Sequence, residues 1–136
     1  MKLVIDTNVL VSAVLRGRLP ERVLVAIIAH DDWHWLVTTD LLAEYERVIR
    51  RPRLGIPLDA QEEWLRLVRQ DCIQLDVPLP MVEFPRDRKD VPVLQAAVAA
   101  EADYLITGDR DFTEAQSLIT SRILTVSEFA RLFDIL

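Results

Sequence analysis

The chain has 136 residues, a formal net charge of -6 and one cysteine, Cys72. This length is typical of one domain, so we expect a single domain over residues 1–136. An apolar fraction of 51% predicts a globular protein, and a lone cysteine excludes an intrachain disulfide. The negative charge argues against broad, non-specific adhesion to nucleic acid, because such binding uses Lys and Arg to displace phosphate counterions. It does not exclude an enzyme that acts on nucleic acid.

The sequence carries no sign of export or membrane insertion. No apolar run approaches the roughly 20 residues that a transmembrane helix requires. The amino-terminal apolar run reaches an acid at Asp6, which is too early for a signal peptide. We therefore expect a cytoplasmic protein that does not enter a membrane.

Apolar runs and helical periodicities alternate from the amino terminus. The run over residues 2–5 predicts a buried strand. Asn8 or Thr7 is expected to cap a following helix that begins near Val9, and Gly17 to end it. The next predicted elements are a helix over residues 20–29, a strand over 35–38, and helices over 40–51 and 59–72.

The second half continues the alternation. A strand over residues 73–77 is followed by a proline-containing stretch, 78–89, which predicts an extended connection. The remaining predictions are a helix over 91–102, strands over 104–107 and 123–126, and a final helix from Ser127 or Glu128. This order predicts an α/β fold with a parallel sheet and helices on both faces.

Acidic residues follow two of the predicted strands directly. Asp6 comes after the first strand, and Asp109 comes just after the strand over 104–107. Because ligands bind beyond the carboxyl ends of parallel strands, these acids are candidates for a functional site. Taken alone, Asp109 and Asp111 are also explained by ordinary turn chemistry beside Gly108.

Helical spacing selects two further acids. Glu44 lies three residues after Leu41 and four before Val48, which places it on or beside a buried helix face. A buried ion pair, for example with an Arg, would explain Glu44 equally well. Asp90 lies four residues before Leu94, and in isolation it is explained as a helix cap ahead of Pro92.

Electrostatic repulsion limits what a convergence of such acids can mean. Two carboxylates about 4 Å apart repel by roughly 4 kcal/mol at an effective dielectric of about 20, whereas a domain is stable by only about 5–15 kcal/mol. Converging acids therefore require divalent cations or shared protons. Carboxylate oxygens favour Mg²⁺ or Mn²⁺ over zinc, and His30 and His34 are expected at the surface rather than as ligands.

Four segments, residues 6–13, 38–54, 86–90 and 102–112, closely resemble the PIN-domain nucleases. The match is to the branch of toxins from toxin-antitoxin systems that are related to VapC. The resemblance implies a three-layer α/β/α PIN-like fold with a central, mostly parallel sheet of four to five strands. It also implies a ribonuclease that uses one or two Mg²⁺ or Mn²⁺ ions to hydrolyse RNA phosphodiester bonds. An antitoxin partner and a homodimer are expected with it.

The resemblance assigns roles to individual residues. The catalytic and metal-binding acids it implies are Asp6, Glu44, Asp90 and Asp109, with Asp111 as a further metal-binding acid and Asn8 and Thr107 in support. Two positions depart from the family pattern. Val91 follows Asp90 where many relatives carry another acid, and Thr38 stands where Ser is common.

Basic and aromatic residues leave more than one interpretation open. The candidates for contact with the RNA backbone are Arg50, Arg51, Arg53, Arg88 and Arg110, and each is also explained as a solvated surface charge. Trp33 and Trp35 are candidates for base stacking, but we expect core or dimer contacts for both. The alternative function is a PIN scaffold that binds proteins and has weak or no nuclease activity.

Overall fold

The computed structural model describes residues 1–78 and 91–136, except for the side chains of residues 110, 111 and 113. The strands in these ranges are β1 (Lys2–Ile5), β2 (His34–Thr38), β3 (Ile73–Leu75), β4 (Tyr104–Thr107) and β5 (Arg122–Thr125). The α-helices are α1 (Thr7–Arg16), α2 (Arg18–Ala29), α3 (Thr39–Ile49), α4 (Leu58–Asp71), α5 (Val91–Ala100) and α6 (Val126–Leu132). Short 3-10 segments cover Pro52–Leu54 and Arg110–Leu118.

The strands form one sheet in the order β3-β2-β1-β4-β5, and every neighbouring pair is parallel. This confirms the predicted parallel sheet. From β1 the chain first moves outward through β2 and β3, and it then returns to add β4 and β5 on the other side. The carboxyl ends of β1 and β4 therefore lie at the point where the strand order reverses, which is where open α/β sheets bind ligands.

The helices cover both faces of the sheet. Helices α1 and α2 connect β1 to β2, whereas α5 lies on the return path to β4, in the opposite direction across the sheet. Because parallel crossovers are right-handed, connections that run in opposite directions place their helices on opposite faces. Helix α5 packs against β1 and β2, while α2 packs against α1 and α6. The expected three-layer α/β/α arrangement is confirmed.

The central strands are buried after their first residue, which explains why they read as continuous apolar runs. Leu3, Val4 and Ile5 of β1 have no exposed surface, and neither have Leu105 and Ile106 of β4. Strands that helices cover on both faces need apolar side chains on both sides. The polar residues that follow these strands are consequently easy to detect in the sequence.

The start of α1 differs from the prediction. Its N-cap residue is Asp6, whose side chain makes no capping hydrogen bond among the described residues, so the expected cap at Asn8 or Thr7 is wrong. Asn8 is exposed, and the Thr7 hydroxyl donates to Glu44 instead. Gly17 ends α1 as predicted, with φ at +64° and its N–H bonded to Ala13 O at 3.0 Å.

Smaller differences concern element ends. The last helix begins at Val126, one residue before the earlier of the two expected starts. Thr125 is its N-cap and forms a reciprocal capping box with Glu128. The 3-10 segment Arg110–Leu118 was not predicted. The predicted connection over 78–89 lies outside the described residues except for Pro78. Among the helices of the described ranges, none is both long and apolar enough to cross a membrane.

Candidate active site

Buried polar side chains gather at the carboxyl end of the sheet. Among the residues that the structure describes, the buried polar or charged ones are Asp6, Thr7, Thr38, Thr107 and Ser121. Thr38 and Thr107 end β2 and β4, and Asp6 and Thr7 are the two residues after β1. Burying polar groups is costly unless they are hydrogen-bonded, so their grouping at one edge indicates a specific purpose.

Asp6 and the end of β4 are joined by hydrogen bonds. The Asp6 N–H donates to Ile106 O at 2.9 Å, and the Thr107 hydroxyl donates to Asp6 Oδ2 at 2.9 Å. The same hydroxyl oxygen accepts the Asp109 N–H at 3.1 Å. Thr107 thus fixes the Asp6 carboxylate and also the backbone of the loop that carries Asp109.

Glu44 is joined to Thr7, the residue that follows Asp6. Its carboxylate Oε2 accepts a hydrogen bond from the hydroxyl of Thr7, the residue after Asp6. The Glu44 side chain is 13% exposed, which agrees with its predicted place beside the buried face of α3. Arg47 Nη2 lies 3.9 Å from Glu44 Oε1, but Arg47 is 66% exposed and such a pair stabilises little.

Helix α3 is set in place by the end of β2. Thr38 caps it, with Oγ1 accepting the Leu41 N–H at 3.1 Å. Leu41, Tyr45 and Ile49 form its buried face. Thr38, which stands where Ser is common, keeps the hydroxyl, and this hydroxyl serves as the helix cap.

The PIN domain family matches residues 2–111. The chain belongs to the PIN domain family. PIN domains are generally nucleases, so this membership supports a hydrolase. A comparison with curated proteins gives no significant match.

A solved structure with a similar fold is VapBC2 from Rickettsia felis, bound to a DNA fragment from their promoter. The TM-score is 0.64 and the sequence identity is 13%, and the similarity covers 92% of this chain and 98% of the other. At this identity the likeness shows the fold alone. It agrees with the PIN-like α/β/α architecture described above.

Some of the predicted site residues lie outside the described part of this PIN domain. Asp90 and Arg88 lie outside the described residues, and so do the side chains of Asp111 and Arg110. Within residues 1–78 and 91–136, leaving those side chains aside, no three His, Cys, Asp or Glu residues lie close enough together to hold a metal. The described part of the site therefore comprises Asp6 and Glu44, each hydrogen-bonded to a threonine, and the exposed Asp109, whose N–H bonds to Thr107.

The donors at this site suit a hard cation. Asp6 and Glu44 offer carboxylate oxygens and Thr7 and Thr107 offer hydroxyl oxygens, whereas both histidines are exposed, as expected. All-oxygen donor sets favour Mg²⁺ and Mn²⁺ over zinc. PIN nucleases generally use divalent metals, and these side chains fit that chemistry.

The arginines of the PIN domain fall into different environments. Arg50 Nη1 lies 2.8 Å from Glu62 Oε1, and Arg50 Nε lies 3.5 Å from Glu46 Oε1. Glu46 also binds Arg69 at 2.7 Å, so the Glu46–Arg50 pair is part of a network that joins α3 to α4. Arg50 thus has acidic neighbours of its own. Arg53 is exposed and Arg51 is partly exposed.

Arg47 is the basic residue that the sequence interpretation missed. The structure places it beside a candidate acid, and its spacing of three residues from Glu44 on one helix was a signal for this contact. Both tryptophans have core contacts, as expected. Trp35 is buried and donates to the Tyr45 hydroxyl oxygen at 3.3 Å, and Trp33 packs edge-on against Phe129 and Phe133.

Proposed function

We propose that the protein is a divalent-metal-dependent endoribonuclease and the toxin of a type II toxin-antitoxin pair. The observation that carries the proposal is the buried Asp6, held by Thr107 where the strand order of a PIN domain reverses. A carboxylate that is 5% exposed and aligned by a hydroxyl is costly to keep without a function.

The proposed site comprises Asp6, Glu44, Asp90 and Asp109 as catalytic and metal-binding acids, with Asp111 as a further ligand. One or two Mg²⁺ or Mn²⁺ ions would supply an activated water and neutralise charge on the scissile phosphate. The chain's own contribution is to hold oxygen atoms in place. Thr107 orients Asp6, and Thr7 orients Glu44.

RNA is the proposed substrate, with its backbone held by arginines around the acids. Arg47 joins the candidates because it is exposed and lies next to Glu44. Arg51 and Arg53 follow the carboxyl end of α3 in the sequence. Arg88 and Arg110 are also proposed to contact the RNA backbone. Arg50 is the weakest of the set, since Glu46 and Glu62 already bind it.

The toxin assignment rests on the resemblance of the sequence motifs and on the fold shared with the toxin-antitoxin complex VapBC2. The proposed partner is an antitoxin that places Arg or Lys over the acidic site, because opposite charges favour association. A cytoplasmic homodimer is proposed with it. Growth arrest on induction, relieved by Asp6→Asn, is the expected result; equal arrest by the variant would contradict a toxic nuclease.

The nuclease activity is tested by cleavage of total RNA at increasing Mg²⁺ or Mn²⁺, with EDTA as the metal-free reference. Glu44→Gln removes the carboxylate at Thr7, and Glu46→Gln changes the same residue type two positions along α3 in the surface network. We expect metal-dependent cleavage that Glu44→Gln abolishes and Glu46→Gln retains. No cleavage with either ion would favour the alternative, a protein-binding PIN scaffold.

A further inference from the structure

Tyr45 is a fully buried residue whose hydroxyl reaches the strand that carries Asp6. Its side chain has no exposed surface, and its hydroxyl donates to the carbonyl oxygen of Ile5, the residue before Asp6. The hydroxyl oxygen also accepts a hydrogen bond from Trp35 Nε1 at 3.3 Å. Three elements, β1, β2 and α3, therefore meet at one oxygen atom.

The pairing of the strands explains why this hydrogen bond is needed. The Asp6 N–H faces β4, where it bonds to Ile106 O, so the preceding Ile5 carbonyl faces the side of β2. The recorded β1–β2 pairs are Lys2 with His34 and Leu3 with Trp35, whereas β1–β4 pairing continues to Ile5 with Ile106. The Ile5 carbonyl lies beyond those β1–β2 pairs, and Tyr45 supplies a donor that a buried carbonyl requires.

Tyr45 also connects two of the candidate acids. It follows Glu44 directly in α3, and its hydroxyl is bonded to the peptide that leads into Asp6. One hydrogen bond thereby fixes α3 relative to the end of β1.

We propose that Tyr45 is a positioning residue that sets the Ile5–Asp6 peptide, and with it the Asp6 carboxylate, relative to Glu44. This inference rests on the proposed metal-dependent function of the two acids. Thr107 holds the Asp6 side chain from β4, and Tyr45 holds its backbone from α3. Removing a partner that orients a metal ligand typically costs about 10-fold to 100-fold in metal affinity or activity.

The experiment compares Tyr45→Phe with Ile49→Val. Tyr45→Phe keeps the buried ring and removes the hydroxyl, while Ile49→Val removes one methyl group from the same buried face of α3, one turn further on. Calorimetric titration with Mn²⁺ is expected to show binding about 10-fold to 100-fold weaker in Tyr45→Phe. Ile49→Val is expected to lower the Tm, but its Mn²⁺ affinity should equal that of the wild type.

A second measurement needs no metal. Amide hydrogen exchange should be faster at Asp6 in Tyr45→Phe than in Ile49→Val, while Leu105 within β4 exchanges alike in both variants. Faster exchange confined to Asp6 would support the positioning role of Tyr45 even if the wild type bound no Mn²⁺. The absence of Mn²⁺ binding would overturn the proposed metal-dependent function but not the role of Tyr45. Unchanged exchange at Asp6, or equal Mn²⁺ affinities in the two variants of a metal-binding wild type, would overturn the role of Tyr45.

Discussion

The two edges of the parallel sheet are completed by different kinds of groups. At the amino edge, backbone groups bond to neighbouring strands or their flanks: His34 N–H to Met1 O at 2.8 Å, and Asp103 N–H to Lys2 O at 2.8 Å. At the carboxyl edge, side-chain oxygens of Asp6, Thr7 and Thr107 are buried instead. Among the described residues, backbone groups at one edge of the sheet are thus hydrogen-bonded without any buried acid.

Two aspartates make the contrast specific. Asp103 lies at the amino edge, is exposed, and accepts the Lys2 N–H through Oδ2 at 2.8 Å. Asp6 lies at the carboxyl edge, is 5% exposed, and accepts from Thr107. An exposed carboxylate that caps a backbone amide costs little, whereas a buried one is retained against its desolvation. The difference favours a structural role for Asp103 and supports the functional role that we propose for Asp6.

The largest expected effect comes from substituting one of these two aspartates, Asp6, and the substitution of the other, Asp103, is the comparison. Asp6→Asn should lower metal-dependent RNA cleavage by at least about 100-fold, because a lost ligand should cost no less than a lost partner of a ligand. Asp103→Ala should lower the free energy of unfolding by about 1 kcal/mol through the lost hydrogen bond, with cleavage unchanged. Cleavage rates and urea unfolding measure the two effects.

A fold check by circular dichroism distinguishes lost chemistry from lost structure in Asp6→Asn. Full cleavage by a folded Asp6→Asn variant would show that the buried carboxylate serves the fold alone. A cleavage defect in Asp103→Ala as large as that of Asp6→Asn would remove the contrast between the edges.

The next effect separates two threonines that lie side by side. Thr107 of β4 pairs in register with Thr125 of β5, but Thr107 bonds to Asp6 whereas Thr125 caps α6 through Glu128 N at 3.1 Å. Thr107→Val should reduce cleavage by about 10-fold to 100-fold, since it removes a hydrogen bond that orients the Asp6 carboxylate. Thr125→Val should reduce the free energy of unfolding by about 1 kcal/mol with little change in cleavage.

Restoring the hydroxyl provides the control for this pair. Thr107→Ser keeps a hydroxyl that can donate to Asp6 and accept from the Asp109 N–H. RNA cleavage by this variant should therefore approach the wild-type rate. If Thr107→Ser were as slow as Thr107→Val, the methyl group rather than the hydroxyl would be the important part of Thr107.

The layout of the sheet was predictable because it depends on local patterns. The limits of β4 were predicted to the residue, since a buried strand leaves a continuous apolar run that ends at a glycine. The alternation of such runs with helical periodicities was enough to predict parallel strands. Asp6 and Asp109 could be selected for the same reason, because they follow those runs.

The contacts that build the site were not predictable in the same way. Thr7 was expected to cap α1, but its hydroxyl bonds to Glu44, and Tyr45 reaches back to Ile5. These partners are far apart in the sequence and come together only when α3 packs against α1 and β2. Arg50 was a candidate for RNA contact as part of a basic cluster. Its pair with Glu62 was not predicted, because Glu62 lies on another helix, beyond the reach of helical spacing.

The smallest expected effect lies on the helical surface, away from both edges. Glu46 is 41% exposed, and its hydrogen bond with Arg69 lowers its pKa from the ordinary 4.5. A lowered pKa in the folded state adds stability above pH 4.5, and this stability is lost as the pH falls through the folded pKa. Glu46→Gln should therefore reduce the free energy of unfolding at pH 7 by less than about 1 kcal/mol, as expected for a surface pair.

Urea unfolding of Glu46→Gln and wild type at pH 7 and again near pH 3 measures this effect, with Arg69→Gln and the double variant completing the cycle. The difference should shrink at the lower pH, because protonated Glu46 no longer attracts Arg69. A difference that is equally large at both pH values would mean that Glu46 stabilises α3 by packing rather than by charge. We also expect Glu46→Gln to cleave RNA at the wild-type rate at pH 7, because Glu46 lies in the surface network and not, like Glu44, against Thr7 at the carboxyl edge.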